Sequence, residues 1–243
     1  MAEIAEMTRC LSCPMQRPQR LVIFSGAGMS AESGIPTFRG AQGLWEGHSI
    51  EEVATPQAWN DNAALVRRFY NERRRHLMRC QPNEGHHIIA RWAEQFNVRI
   101  ITQNVDDLHE RAGSNEVLHL HGELMRSRSL GPSGEVMEMV DWEMKSSDRC
   151  PNGHHVRPHI VWFGEDVPNM DAAVSIVQQA DCLLVVGTSL QVYPAAQLAY
   201  IAAPGVPVHV IDPSASALSI DSAHPWPVGA SEGLRMLDAQ WFT

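Results

Sequence analysis

The chain has 243 residues, 44% of them hydrophobic, 19% charged and 7% aromatic. That length and mix suit one sizeable domain, or one with a modest insertion, and exclude a disordered chain or an extended charged helix. A net charge of −9 disfavours nucleic acid as a partner, because gripping phosphates needs a concentrated basic face.

No apolar run approaches the roughly 18 residues of a membrane-spanning helix, so no membrane partner is expected. Met1–Arg20 has no apolar core of signal-peptide length and carries Glu3 and Glu6 early. Five cysteines (Cys10, Cys13, Cys80, Cys150, Cys182) form an odd set without framework spacing. A reducing interior suits them, and the expected compartment is cytoplasmic.

Leu21-Val22-Ile23-Phe24 ends abruptly in Ser25-Gly26-Ala27-Gly28, which predicts a buried strand running into a tight turn. Helical spacing runs from about Asp61 to Met78 (Ala64, Val66, Phe69, Leu77), with arginines at 67, 68, 73, 74 and 75. A second helix is expected over Glu84–Phe96, with Ile88, Ile89 and Trp92 as its buried stripe. Val98–Thr102 is a strand ending in Gln103-Asn104-Val105-Asp106-Asp107. Further strands are expected at Val117–Leu120, His159–Phe163, Leu183–Val186 and Val206–Ile211. The last two are continuous apolar runs, as strands covered on both faces should be. Helices from about Met170 to Gln179 and Pro194 to Ala202 alternate with them. This alternation predicts an α/β fold with a mainly parallel sheet flanked by helices. From Glu123 to Arg157 the chain is polar, with Gly131-Pro132-Ser133-Gly134, and reads as a small inserted domain outside the main sheet.

Gly26-Ala27-Gly28-Met29-Ser30 closes the first strand. Small residues there let backbone N–H groups approach a diphosphate, although a plain strand-to-helix turn explains them equally well. Ser33-Gly34-Ile35-Pro36-Thr37-Phe38-Arg39-Gly40 follows, placing Phe38 to cover a ring or reactive centre and Arg39 to pair with phosphate. No clear acid stands about 20 residues on, which disfavours an ordinary dehydrogenase. Gln103-Asn104-Val105-Asp106 ends a strand, where its polar side chains can reach one ligand or cap the next helix. In His119-Leu120-His121-Gly122, alternation puts both histidines on one face, and a strand-end imidazole suits a general base. With 12 histidines in the chain, that role needs support from its neighbours. Gly187-Thr188-Ser189 is a small, hydroxyl-rich strand end suited to ribose or phosphate.

In this order, and with Pro158-His159-Ile160-Val161-Trp162-Phe163-Gly164-Glu165 before the last, these blocks resemble the sirtuin family of NAD-dependent protein-lysine deacylases from about Leu21 to Ala230. The resemblance implies a single catalytic domain, 1–243, whose Rossmann-like large part covers about 1–40, 80–122 and 158–243. Small-domain insertions would cover about 41–79 and 123–157, with NAD extended in the crevice between the parts. Gly26, Ala27, Gly28, Ser30 and Arg39 would surround the phosphates and adjacent ribose, with Phe38 over the reactive centre. Gln103, Asn104 and Asp106 would line the nicotinamide and its ribose. Gly187, Thr188 and Ser189 would hold the adenosine side, with Ala230 near the adenine. A strand through Val161, Phe163 and Gly164 would pair with the acyl-lysine peptide. In such enzymes the acyl oxygen attacks the anomeric carbon of the NAD ribose as nicotinamide leaves. His121, alongside Asn104 and Asp106 as catalytic residues, would then act as general base on a ribose hydroxyl that attacks the resulting imidate. Hydrolysis gives free lysine and O-acyl-ADP-ribose.

Tyr70 and Arg73 stand at i and i+3 and share a helix face. Tyr70-Asn71-Glu72-Arg73 is similar to the pattern of the sirtuin branch that removes succinyl and malonyl groups. A guanidinium can clamp a terminal carboxylate and a phenol can donate to it. The plain alternative is an amphipathic helix in which Arg73 is one of five solvated arginines.

The inserted domain departs from the family, most of whose members hold zinc there with two Cys-x-x-Cys pairs. Arg126–Gly134 has no cysteine, and the second half offers only Cys150, with His154 and His155. Structural zinc is therefore expected to be absent, with Leu130, Val136, Met139 and Trp142 packing the module instead. Cys10 and Cys13 read as part of a terminal tail. Asp212-Pro213-Ser214 stands where the family has asparagine and then glutamate, and Asp212 can still accept from a ribose hydroxyl. Acylated lysine peptides or proteins, acetylated ones included, are the expected partners. The same pocket would serve an NAD-dependent protein ADP-ribosyltransferase, an NAD hydrolase or a non-catalytic NAD-binding sensor. The peptide strand and the Tyr70–Arg73 pair favour deacylation, and a sensor gives no reason for His121, Asn104 and Asp106 to occur together.

Overall fold

A computed structural model of the chain describes residues 18–37, 47–220 and 223–242. Strand β1 (Arg20–Ser25) leads into a short helix α1 (Gly28–Ala31). Helices α2 (Ile50–Val53), α3 (Pro56–Leu77) and α4 (Glu84–Trp92) precede β2 (Asn97–Thr102), and α5 (Leu108–Arg111) precedes β3 (Val117–His119). Next come β4 (Gly122–Ser129), β5 (Val136–Glu138) and β6 (Val156–Ile160). Helix α6 (Met170–Gln178), strands β7 (Cys182–Val186), β8 (Val208–Ile211) and β9 (Ala223–Trp226), and helix α7 (Ala230–Phe242) complete the chain.

Six strands form one sheet in the order β3-β2-β1-β7-β8-β9, and all its pairs are parallel. The chain winds outward from β1 in one direction, returns to place β7 beside it, and winds out in the other. Ligands of open α/β sheets sit beyond the carboxyl ends of the strands at such a reversal. Topology alone therefore points at Ser25 and Val186.

Side-chain alternation divides the core. Leu21 and Ile23 face α4 and α7 through Ile88, Ile89, Trp92, Leu234, Leu237 and Trp241. Val22 and Phe24 face α6 through Ala173 and Val177. Burial on both faces is what makes β1 and β7 read as unbroken apolar runs. Each fully buried aliphatic side chain contributes about 1.5–3 kcal/mol.

Helix α3 begins with a Thr55 cap, whose hydroxyl accepts from Ala58 N at 3.0 Å, and with Pro56 in its first turn. Asn62 breaks it (φ −149°, ψ 66°), and the Asn62 side chain recaps the second piece by accepting from Leu65 N at 3.1 Å. The buried stripe Val66, Phe69, Tyr70 and Leu77 belongs to that second piece, which explains why the pattern becomes legible only near Asp61. Helix α4 stops at Trp92, short of the expected Phe96, and Pro194–Ala202 is a 3₁₀ turn over Ala195–Tyr200 instead of an α-helix.

The inserted module is a second sheet, β5-β4-β6, antiparallel throughout. The strand expected at His159–Phe163 is displaced into it: β6 ends at Ile160. The Glu165 carboxylate turns the chain by accepting from Trp162 N at 2.8 Å and from Arg157 Nη2 at 2.8 Å. The module's own core is Met144, Cys150 and Val156, flanked by Met137 and Met139. Leu130 and Val136, expected to pack there, are 50% and 39% exposed. The cause at Val136 is register: Met137 turns inward, so its neighbours Val136 and Glu138 turn out. Trp142 lies under the Arg75 guanidinium, 5.6 Å away, and joins no core.

A side-chain staple fastens the module to α3. Arg74 is fully buried; its Nε donates to Trp142 O at 2.7 Å, its Nη1 to Leu124 O at 3.3 Å, and its Nη2 to Asn71 Oδ1. Asn71 brackets Met144, accepting from its N at 2.9 Å and donating to its O at 3.1 Å. Burial pulls the Arg74 guanidinium down to about 10. Arg74→Met keeps the apolar stem but strands these acceptors, and is expected to cost about 2 kcal/mol in urea unfolding. No helix among the described residues is long and apolar enough to cross a membrane.

Candidate active site

Ser25 of β1 stands opposite Val186 of β7. Beyond them the backbones interlock: Gly26 N donates to Val186 O at 2.9 Å and Gly28 N to Gly187 O at 2.8 Å. A Cβ on Gly26 would lie 2.7 Å from Thr188 Cβ, and one on Gly28 2.7 Å from Gly187 Cα. At Gly187, where φ is +62°, a Cβ would lie 2.3 Å from Met29 N. The result is a floor bare of side chains at the reversal of the sheet, a shape that fits a dinucleotide diphosphate. Ala27 lies in this turn.

The end of β2 supplies the polar wall. Gln103 N donates to Ser25 O at 2.9 Å, and Gln103 Nε2 to Thr188 Oγ1 at 2.9 Å, tying this wall to the glycine floor. Asn104 Nδ2 donates to Ser30 Oγ at 3.1 Å, and Ser30 Oγ donates to Asp106 Oδ2 at 2.9 Å. Asp106 is buried, and burial pushes its carboxyl up despite the bonds from Ser30 and Leu108 N. The expected residues thus meet in two hydrogen-bonded sets carried by adjacent residues of one loop, Gln103 with Thr188 and Asn104 with Ser30 and Asp106.

His121 lies beside it. Its Nδ1 is 3.1 Å from Gln103 O, and a carbonyl only accepts, so Nδ1 carries the hydrogen and Nε2 keeps a lone pair. Burial pushes the ring's pKa down, with the Gln103 bond opposing. A neutral imidazole with an acceptor nitrogen is what a general base requires.

Tyr70 and Arg73 are both buried, so Arg73 is not a solvated arginine. Burial pushes the Tyr70 phenol up, and its oxygen accepts from Trp162 Nε1 at 3.1 Å. The Arg73 guanidinium lies 5.7 Å from the centre of the Phe69 ring. Val161–Gly164 is a loop and turn, not a strand. Val161 N donates to His121 O at 2.9 Å and Phe163 N to Ala54 O at 3.0 Å, while Gly164 has φ +90°. This loop spans from the His121 carbonyl to the Tyr70 phenol.

The remaining expected residues are more scattered. Ser189 is half-buried after β7. Asp212 Oδ1 accepts from Ser214 N at 2.8 Å, turning the chain after β8. Ala230 is packed into the main core at the start of α7, so only its backbone can face a ligand. Phe38 and Arg39, and also Cys10 and Cys13, lie outside the described residues.

Sequence reasoning missed two supports. Ser25 Oγ donates to Thr102 Oγ1 at 2.9 Å and stands 3.0 Å from His109 Nε2, bracing the strand ends from beneath. Glu32 Oε1 accepts from Ser231 N at 3.1 Å, capping the first turn of α7. The partners come from separate elements in each case, so no local pattern marks them.

Residues 26–194 match the Sir2 family. The NAD-dependent protein deacylase of Aggregatibacter actinomycetemcomitans is 53% identical over 194 residues, covering 79% of this chain and 92% of that protein. The NAD-dependent protein deacylase of Bacteroides thetaiotaomicron is 47% identical over 225 residues, covering 90% and 96%. The crystal structure of a Sir2 homologue–NAD complex has a TM-score of 0.86 at 36% identity, covering 96% of this chain and 93% of that one. A Sir2–p53 peptide–NAD+ structure has a TM-score of 0.76 at 25% identity, covering 98% of each chain. Sheet order, glycine floor and sequence agree, and this chain belongs to the Sir2 family.

Proposed function

We propose that this chain is an NAD-dependent protein-lysine deacylase that removes succinyl and malonyl groups, and also acetyl. The carrying observation is His121, whose Nδ1 is 3.1 Å from Gln103 O, leaving Nε2 as an acceptor beside the polar end of β2. When bound, NAD supplies the ribose carbon from which nicotinamide departs. The glycine floor accepts the diphosphate, and the Ser30–Asn104–Asp106 network orients the nicotinamide side. His121 Nε2 takes the proton of a ribose hydroxyl. Val161, Phe163 and Gly164 receive the peptide backbone, and Tyr70 and Arg73 receive the acyl end. The deacylase names of the relatives and the solved Sir2–p53 peptide–NAD+ structure support a protein substrate.

One catalytic domain covers 1–243 in this reading, with parts at about 41–79 and 123–157 closing the crevice. The donor set of the module does not fit a tetrahedral zinc: Cys150 Sγ already accepts from Ser129 Oγ at 3.3 Å, and no second thiol stands in the module. The Arg74–Asn71 staple takes over the fastening. The free thiols Cys80, Cys150 and Cys182 support a reducing, cytoplasmic setting.

Incubation with NAD and matched acetyl-, malonyl- and succinyl-lysine peptides, followed by mass spectrometry, tests the reading. Nicotinamide and free lysine are expected to appear together; nicotinamide without peptide conversion would favour a hydrolase or transferase. Arg73→Met is expected to lower kcat/KM for the succinyl peptide at least about 30-fold more than for the acetyl peptide, since it removes one partner of a charge pair. Equal loss on both peptides would refute the acyl assignment.

A further inference from the structure

The two histidines at the end of β3 grip consecutive carbonyls of one loop. His121 holds Gln103 O, and His119 Nδ1 lies 3.0 Å from Asn104 O. The other nitrogen of His119, Nε2, lies 2.8 Å from Glu110 Oε1 of α5. A backbone carbonyl and an ionised carboxylate both only accept. Both contacts are satisfied together only when each ring nitrogen carries a hydrogen. A neutral ring would turn a lone pair toward an acceptor within hydrogen-bonding distance.

We infer that His119 is an imidazolium held between Glu110 and the Asn104 carbonyl, and that it acts as a positioning residue for the nicotinamide side of the site. This deepens the deacylase reading and rests on it.

The groups around His119 on every side support the charge. Glu110 of α5, Glu123 of β4 and Asp106 of the loop after β2 bring carboxylates. His109 of α5 and His159 of β6 are the basic neighbours. Burial holds His109 well below the usual histidine value, and burial with nearby arginines takes His159 down to about 4, so both are neutral near pH 7. Burial alone would push His119 down too, but the bond to Glu110 and the charges of Glu110 and Glu123 carry it above the ordinary value.

Loss of the proton acts through Asn104. The remaining hydrogen stays on Nε2 against the carboxylate, and Nδ1 then turns a lone pair on Asn104 O. The peptide must tilt away. Asn104 Nδ2 bonds Ser30 Oγ, and Ser30 bonds Asp106, so the whole network shifts. His119 has a raised folded value, so its contribution is complete in the acid range and is lost as pH rises through that value. His121 has the opposite sign, with its base form lost at low pH. The active range is therefore bounded on both sides by neighbouring histidines.

The test compares kcat/KM for NAD against pH, with an acyl-lysine peptide, in wild type and Glu110→Gln. Glu110→Gln is expected to move the alkaline limb toward lower pH by about one unit or more, leaving the acid limb in place. A bystander structural role would lower activity alike at all pH. Nitrogen-15 NMR of the wild-type histidines at pH 7 reads the ring directly, and both nitrogens of His119 are expected to be protonated. Superimposable profiles, or one unprotonated His119 nitrogen at pH 7, would overturn the inference. If Glu110→Gln fails to fold, the wild-type NMR decides. A wild type that removes no acyl group at any pH would sink the deacylase reading instead, while the nitrogen shifts still settle the charge on His119.

Discussion

His121→Ala is expected to lower kcat/KM for deacylation by about 10³-fold, within the usual range for loss of a positioned general base, while NAD affinity and thermal stability change little. The ring makes its Nδ1 bond to Gln103 O at 3.1 Å but belongs to none of the apolar clusters, so alanine empties a site without opening a core. The dinucleotide floor is backbone and stays intact. Wild type should also lose activity on acidification, because a protonated Nε2 cannot accept the ribose proton. Burial lowers this ring's pKa, so the acid limb is expected below the ordinary histidine value of about 6.5. Steady-state kinetics with calorimetric NAD binding check both parts, and near-wild-type turnover by the alanine variant would remove His121 from the role.

Gly187→Ala is expected to be among the most damaging single methyls at the described residues. It forces alanine to φ +62° and sets its Cβ 2.3 Å from Met29 N and 2.5 Å from Gly28 C. Those neighbours are backbone and cannot swing aside. The left-handed conformation alone costs about 1–2 kcal/mol; with the collision, about 3 kcal/mol or more of folding stability should go, and NAD binding with it. Gly34→Ala is the control, since Gly34 has φ +88° and a methyl there would meet nothing within 4 Å. It should show the conformational cost only. Chemical denaturation of both variants separates the terms, and equal losses would mean that the interlock with Gly28 carries no weight.

Strands β1 and β7 are legible in the sequence because burial on both faces leaves an unbroken apolar run that ends at glycine. Strand β9, with the sequence Ala-His-Pro-Trp and half-exposed positions at the sheet edge, carries no such signal. Helix α7 escapes a reading by periodicity although Leu234, Leu237 and Trp241 mark its buried face. Gly233 interrupts the pattern, and it is needed because a Cβ there would meet Ile211 Cγ2 at 2.4 Å. Within the site, Gly26, Gly28, Asn104, Asp106 and His121 stand in short contiguous blocks, so their residue types announce them. The Arg74–Asn71 staple, the Ser25–Thr102–His109 brace and the His119–Glu110 pair depend on groups that only folding brings together. Sequence periodicity carries no information on such meetings.

The inserted module leaves the main body on two strands that touch at their roots. Gly122 pairs with Ile160, a Cβ on Gly122 would lie 2.1 Å from His159 O, and Val161 N holds His121 O at 2.9 Å. This crossing is the root of the module, and His121, which carries the imidazole, is the adjoining residue. Any shift of the module at this root would therefore be felt at the residue that carries the imidazole, because the two share one backbone crossing.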